Sequence, residues 1–233
     1  TFIFFKKHFS FPKGIQIQIF RSFFLFFSTV FFFYAISVIS LAEALTLAFI
    51  SPIIATILSF FILKEKIGPR RWIAVVAGFI GVLFVIRPGF NEINIATFAA
   101  VGAGICYAFY VISTRKLSSI DSPLMTLIFT GLTGAIVISL LVPFFWTWLS
   151  LTQWFLLIFL AAIGTLAHFL LILSLTLAEA SKLAPLSYSE IIMNVIIGYY
   201  FFGDFPNQWI WIGLAIIVAS GVYISLRETK KSI

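Results

Sequence analysis

Three polar side chains share one face of a long apolar segment in the second half of the chain. Ser187, Glu190 and Asn194 are spaced at i, i+3 and i+7, which places them on one side of a helix. A carboxylate at the centre of a bilayer costs roughly 2.5 to 3.5 kcal/mol on insertion scales, so Glu190 needs a compensating partner. We expect this stripe to bind a polar solute or a proton, and hydrogen bonding to a neighbouring helix is the structural alternative.

Three further side chains in apolar segments could contact a ligand. His168 carries an imidazole that could relay protons or touch a solute. Tyr188 and Tyr107 could present aromatic faces to a cation, an attraction of about 1 to 2 kcal/mol for each desolvated ring. For each of the three, packing within a helix bundle is the alternative interpretation.

The composition indicates that the helices carrying these residues lie in a membrane. Of the 233 residues, 62% are hydrophobic and 10% are charged, which is too little polar surface to coat a water-soluble globule. Between short charged clusters lie eight apolar stretches of about 20 residues, the length that crosses a bilayer as an α-helix. The predicted fold class is therefore all-α, a polytopic transmembrane helix bundle, with spans at 22–40, 44–63, 72–86, 93–114, 123–145, 154–177, 183–202 and 209–226.

The basic residues predict the orientation of these spans, because Lys and Arg are retained on the cytoplasmic side during insertion. With both termini in the cytoplasm, fourteen of the 15 Lys and Arg residues face that side, among them Arg21 just before the first span. Arg87 faces the other side. The net charge of +7 is thus assigned to topology and not to nucleic acid. The predicted location is a bacterial inner membrane.

Two copies of the motif LAEA, at 41–44 and 177–180, indicate an internal duplication. The same shift of 136 positions aligns Ser51 with Ser187. The loop 64–71 carries four positive charges, whereas its equivalent 203–209 carries none, so the two loops are predicted on opposite sides. Inverted repeats of this kind are typical of carriers. We assign the first repeat to residues 1–91 and the second to residues 92–233.

The two repeats differ in their number of predicted helices, three in the first and five in the second. Partners of the helices between about 96 and 136 would precede Thr1, so we expect eight helices of a ten-helix protein. Within the second span, Pro52 removes the backbone hydrogen bond to the carbonyl of Ala48. We expect either a hinge or polar contact in the cavity or a packed kink there.

Two long segments resemble a known family. LAEALTLAFISPIIATILSFFILKEKIGPRRW, followed by GFIGVLFVIRP, resembles the first-repeat signature of the EamA-type transporters of the drug/metabolite transporter superfamily. ASKLAPLSYSEIIMNVIIGYYFFGD is similar to the second-repeat helix of that family, including Glu190 and Asp204. The family usually has Pro after this glutamate, and Ile191 stands here, so no kink is carried over to that position.

The resemblance implies a secondary-active carrier for a small polar organic solute. The second-repeat segment is most similar to S-adenosylmethionine uptake carriers of intracellular bacteria, and the sulfonium and amino groups of that solute suit Glu190 and the tyrosines. An exporter of amino acids or drugs and a non-transporting remnant are the alternatives. No phosphate loop, carboxylate pair within a span or metal-spaced His/Cys cluster occurs, so we expect no enzyme, cofactor or metal. The expected partners are the solute and membrane lipid, and the prediction admits a homodimer.

Overall fold

A computed structural model describes residues 12–64, 68–86, 94–177, 197–203 and 206–229 of the protein. Within these ranges the chain is helical and contains no strand, which confirms the predicted all-α class. The elements are α1 (Ile15–Ile36), α2 (Leu41–Ala48), α3 (Ser51–Ile62), α4 (Pro69–Ile86), α5 (Ile95–Leu117), α6 (Pro123–Phe145), α7 (Leu151–Leu177), a π-helical turn (Gly198–Phe202) and α8 (Gln208–Thr229).

Five segments of the described chain are long and apolar enough to cross a membrane: Ile15–Ile36, Glu43–Ile62, Ile95–Leu117, Pro123–Phe145 and Leu151–Leu177. A polytopic membrane helix bundle is therefore confirmed. The third and eighth predicted spans correspond to α4 and α8. Most of the seventh lies outside the described residues, and its last five residues form the π-helical turn.

The second span is interrupted at residues 49–50, just before Pro52. Helix α2 ends at Ala48 and α3 begins at Ser51, so Pro52 lies in the first turn of α3. Proline is tolerated there, because the first N–H groups of a helix have no intrahelical acceptor. The chain keeps nearly helical dihedral angles at Ile50 (φ −62°, ψ −19°), so the interruption is local and the span remains one membrane segment.

Helix α1 begins seven residues before the predicted first span. Ile15 is its first residue, so Arg21 lies inside the helix and is fully buried. Arg21 therefore stands in the second turn of the helix and is enclosed by protein, while its side on the membrane stays a prediction. Glutamine and arginine are both good helix formers, and the polar side chains of this segment find partners within the protein.

Side-chain caps fix the starts of several helices. Ser122 accepts a hydrogen bond from the backbone N–H of Met125 and begins α6. At α7, Ser150 and Gln153 form a reciprocal capping box, in which each side chain accepts from the other residue's N–H at 3.3 and 2.8 Å. Because these caps satisfy N–H groups that would otherwise lack an acceptor, the boundaries of these helices follow from the local sequence.

The described residues fall into two compact units. The first unit contains α6 and α7 with the start of α1, up to Phe23, and the end of α5, from Ser113. The second contains α2, α3, α4 and α8 with the remainder of α1 and α5.

In the second unit, α4 and α8 pack closely and run antiparallel. Gly78 lies against Ser220, Gly81 lies against the carbonyl of Gly213, and the ring of Phe84 stacks on Trp209. A Cβ atom on Gly81 would lie 2.9 Å from that carbonyl oxygen. The glycines are thus what allows the two backbones to approach.

A second close approach in this unit joins α5 to the break between α2 and α3. A Cβ atom on Gly104 would lie 2.5 Å from the carbonyl oxygen of Ala48 and 2.8 Å from Ile50. The Ala48 carbonyl is the group that Pro52 leaves without its helical donor. Because Gly104 has no Cβ atom, α5 can approach the Ala48 carbonyl at the helix break.

Candidate functional site

The predicted polar stripe cannot be located in the structure. Ser187, Tyr188, Glu190 and Asn194 lie outside the described residues, so their proximity to one another and to a solute stays a prediction. The two remaining candidates, His168 and Tyr107, belong to different units and have separate surroundings.

Tyr107 is half-buried on α5 in the second unit. Its ring centre is 5.6 Å from that of Tyr110, at an interplanar angle of 36°. Tyr110 is fully buried. This geometry is an aromatic packing contact, and it leaves a ligand-binding role for Tyr107 as a prediction.

His168 is half-buried on α7 in the first unit. It lies within electrostatic range of the guanidinium of Arg21 on α1. Both residues therefore belong to the first unit, and Arg21 is close enough to influence the imidazole electrostatically.

Arg21 is held by hydrogen bonds to two other helices of the first unit. Its Nε donates to the hydroxyl of Thr114 on α5 at 2.6 Å. Its Nη1 donates to the carbonyl of Thr126 at 3.1 Å and to the hydroxyl of Thr130 at 2.7 Å, both on α6. All of these acceptors are neutral. Arginine keeps its charge in proteins, so a cation is present in the interior of this unit.

Gln18 lies one turn before Arg21 on the same face of α1 and is also fully buried. Its Nε2 donates to Asp121 Oδ2 at 3.0 Å and to the hydroxyl of Thr126 at 3.2 Å. Its Oε1 is buried and has no hydrogen-bond partner among the residues that the structure describes. We call Gln18, Arg21, Thr114, Thr126 and Thr130 the Arg21 cluster.

Asp121 anchors one end of the Arg21 cluster. Besides Gln18, it accepts hydrogen bonds from the backbone N–H groups of Lys13, at 2.9 Å, and Gly14, at 3.4 Å. These groups stand at the start of α1, where a carboxylate is favoured by the helix dipole. The turn between α5 and α6 therefore caps α1 and fixes the position of Gln18.

The guanidinium of the Arg21 cluster can donate hydrogen bonds, but it cannot transfer a proton. An arginine does not release its proton at physiological pH, whereas it donates several hydrogen bonds in a fixed planar geometry. The sequence contained a signal for this cluster, since Gln18 and Arg21 are polar at i and i+3 in a mostly apolar helix. Counting Arg21 with the topology charges concealed that signal.

A comparison with protein families gives a match to the EamA-like transporter family over residues 1–87 and 94–226. The riboflavin transporter of Vibrio cholerae is 35% identical over 191 residues, which cover 82% of this chain and 64% of that protein. The S-adenosylmethionine uptake transporter of Rickettsia bellii is 28% identical over 214 residues, covering 92% of this chain and 74% of that protein. The chain thus spans less than two thirds of the Vibrio cholerae relative.

A solved crystal structure shares the fold. It superposes with a TM-score of 0.67 at 19% sequence identity, and the match covers 92% of this chain and 77% of that chain. The names of the relatives also agree with the prediction that the chain is not an enzyme. The family model matches two ranges that together cover most of the chain, and the Vibrio cholerae relative is 35% identical. The chain therefore belongs to the EamA-like transporter family.

Proposed function

We propose that the protein is a secondary-active inner-membrane carrier that takes up a small polar organic solute, with S-adenosylmethionine as the first candidate. The observation that carries the proposal is the family match over most of the chain, together with Rickettsia relatives named S-adenosylmethionine uptake transporters. The buried Arg21 cluster supports it, because polar and charged groups inside a membrane bundle mark solute pathways.

Riboflavin is the second candidate solute. The relative with that name from Vibrio cholerae is 35% identical, against 28% for the Rickettsia bellii relative. Both solutes combine a ring system with hydrogen-bonding groups, so one binding site of mixed character suits either. Direct measurement of uptake separates them.

Alternating access between two inverted halves is the proposed mechanism. The repeats at 1–91 and 92–233 make α4 and α8 equivalent helices, and their antiparallel packing supports an inverted arrangement. The count of basic residues, fourteen on the cytoplasmic side against one outside, supports the proposed orientation, with both termini in the cytoplasm.

Uptake of radiolabelled S-adenosylmethionine and of riboflavin by cells expressing the full-length chain tests the proposal. We expect saturable accumulation of one solute above the level of cells that lack the protein. Accumulation of neither solute, with the protein present in the membrane, would contradict the proposal. Faster loss of a solute from preloaded cells would instead favour an exporter.

Glu190 is proposed to bind the solute or the coupling proton. We expect Glu190→Gln to abolish uptake while the protein still inserts. Glu43→Gln is the matched control, because Glu43 lies in the first turn of α2, where a carboxylate interacts with the helix dipole. Normal uptake by the Glu190 variant would remove this residue from the mechanism.

A further inference from the structure

Three tryptophans lie together where α6 and α7 of the first unit are joined. The ring centre of Trp146 is 5.9 Å from that of Trp148 and 6.4 Å from that of Trp154, at interplanar angles of 85° and 49°. Trp146 directly follows α6, Trp148 lies in the loop, and Trp154 lies at the end of the first turn of α7. We call residues 144–154 the hairpin tip.

The hairpin tip exposes these rings although they are large and mostly apolar. Trp148 is 90% exposed, and Trp146 and Trp154 keep 48% and 43% of their surface. Phe144 and Phe145, the last residues of α6, are exposed as well. The indole N–H groups of the three tryptophans have no acceptor among the residues that the structure describes. The tip therefore presents apolar rings and hydrogen-bond donors on one surface.

Local hydrogen bonds order the loop that carries the tryptophans. The capping box of α7 joins Ser150 to Gln153, and both residues lie between Trp148 and Trp154 in the chain. These bonds fix the direction in which the loop enters α7. The rings are thus arranged before a partner binds, so little conformational freedom is lost on binding.

The chemistry of the tip excludes recognition by charge. Between Asp121 and Glu179 the sequence contains no Asp, Glu, Lys or Arg. Basic residues stand near the opposite end of α6, where α5 ends with Arg115 and Lys116 in its last turn. Amphipathic rings with an N–H donor and no charge suit a layer in which apolar and polar groups meet.

The lengths of the two helices place the tip in such a layer. Helix α6 has 23 residues and α7 has 27, and both are apolar enough to cross a membrane. At 1.5 Å per residue they are about 34 and 40 Å long. The hydrocarbon core of a bilayer is about 30 Å thick, so a helix that enters it at one face ends among the headgroups at the other.

From these observations we propose that the hairpin tip binds the headgroup layer of the phospholipid bilayer and fixes the depth of α6 and α7. The rings lie beside the upper part of the acyl chains, and the indole N–H groups donate to ester and phosphate oxygens of the lipids. The partner is the phospholipid, and neither the solute nor a second copy of the chain. This inference goes beyond the proposed function, because it holds for any solute.

The depth of a spin label in the hairpin tip tests the inference. Thr147→Cys places a nitroxide between Trp146 and Trp148 at an exposed position, in a variant that also carries Cys106→Ser. The full-length chain is reconstituted in dioleoylphosphatidylcholine vesicles, and collision rates with oxygen and with a water-soluble nickel chelate give the depth. We expect the label roughly 15 to 22 Å from the bilayer centre, which is the headgroup layer.

Substitution of the tryptophans is expected to move the label toward the bilayer centre. With Trp146, Trp148 and Trp154 all replaced by Ala, we expect a shift of at least ~3 Å, the rise of two helical residues, because the exposed phenylalanines remain without their anchors. Trp148→Ala alone should give a smaller shift in the same direction, and its exposed ring makes loss of folding no concern. Phe159→Ala is the matched control, since it removes an exposed ring of α7 farther from the tip, and no shift is expected.

Three results would overturn the inference. The first is a label in bulk water or in the hydrocarbon core of the unsubstituted tip. The second is an unchanged depth in the variant without the three tryptophans. The third is dipolar broadening that disappears on dilution with unlabelled protein, which would place the tip between two copies of the chain. The measurement contains no solute, so failure of the proposed carrier function would leave its outcome unaffected.

Discussion

The helices within each of the two units are joined by different kinds of contact, and α1 and α5 contribute residues to both units. In the first unit the contacts are hydrogen bonds, such as those from Arg21 to Thr114 and Thr130. In the second unit α1 and α5 meet through stacked rings of Phe24 and Phe109, 4.7 Å apart, and through Gly102. A hydrogen bond from the hydroxyl of Ser28 to the carbonyl of Ala103, at 2.9 Å, is the polar contact between these two helices in the second unit that the structure describes.

This difference predicts which unit contributes more to stability. Between helices in lipid, burial of apolar surface gives little driving force, so close packing at small residues becomes important. The glycines of the second unit supply such packing. A buried guanidinium is expensive, and replacing a buried polar network by apolar groups is often neutral for stability. We therefore expect the Arg21 cluster to contribute less to stability than the glycine contacts.

The largest loss of stability is expected for Gly104→Ala in the second unit. The new methyl group would lie 2.5 Å from the Ala48 carbonyl oxygen, and backbone on both sides has little freedom to move. Overpacking of this kind costs typically 1 to 3 kcal/mol, and we expect a loss of about 3 kcal/mol. SDS-induced unfolding of the purified chain in detergent micelles measures it.

Gly164→Ala is the matched control for that prediction. Gly164 also lies inside an apolar helix, α7, and a Cβ atom there would meet nothing within 4 Å. The substitution should change stability by less than about 0.5 kcal/mol. Equal losses for the two variants would show that the contact with Ala48 does not determine the result.

A smaller loss is expected for Asp121→Ala in the first unit. The change removes an acceptor for two N–H groups at the start of α1 and leaves the amide of Gln18 without its carboxylate. Loss of a helix cap costs about 1 kcal/mol, and an unpaired buried donor adds a similar amount. The expected sum is about 2 kcal/mol in the same unfolding measurement.

Ser119→Ala serves as the control in the same turn. Its hydroxyl is exposed and donates one hydrogen bond of 3.3 Å to the carbonyl of Lys116, so we expect almost no effect. If Asp121→Ala also leaves the stability unchanged, the capping of α1 by this turn contributes little. The polar contacts of the first unit would then be weaker than their geometry suggests.

The fold was predictable from the sequence, because hydropathy and span length decide how a chain inserts into a bilayer. The helix break at residues 49–50 was harder to predict from the sequence, since Pro52 is compatible with a kink or with a new helix start. Tertiary contact with Gly104 favours the break. Local pattern alone contains no information about that contact.

The candidate site was predicted only in part. Charge counting assumes that every Lys and Arg lies outside the spans, and this assumption placed Arg21 in a loop. His168 was identified from its position in an apolar segment, but its proximity to Arg21 depends on how α1 and α7 pack. The stripe around Glu190 remains a prediction on the residues outside the described ranges.

The smallest expected effect distinguishes Thr130 from Thr133, which lie one turn apart on α6. Both are half-buried, and each donates its hydroxyl proton to the carbonyl four residues earlier at 2.8 Å. Thr130 in addition accepts a hydrogen bond from Arg21 at 2.7 Å. Substitution of either residue by Val therefore removes the same local bond, and the difference between the variants isolates the contact with Arg21.

We expect Thr130→Val to be about 1 kcal/mol less stable than Thr133→Val, because Arg21 Nη1 keeps its second acceptor on Thr126. SDS-induced unfolding of the two purified variants in detergent micelles measures this difference. Equal stability of the two variants would mean that the hydrogen bond from Arg21 to Thr130 contributes little beside the bond to the Thr126 carbonyl.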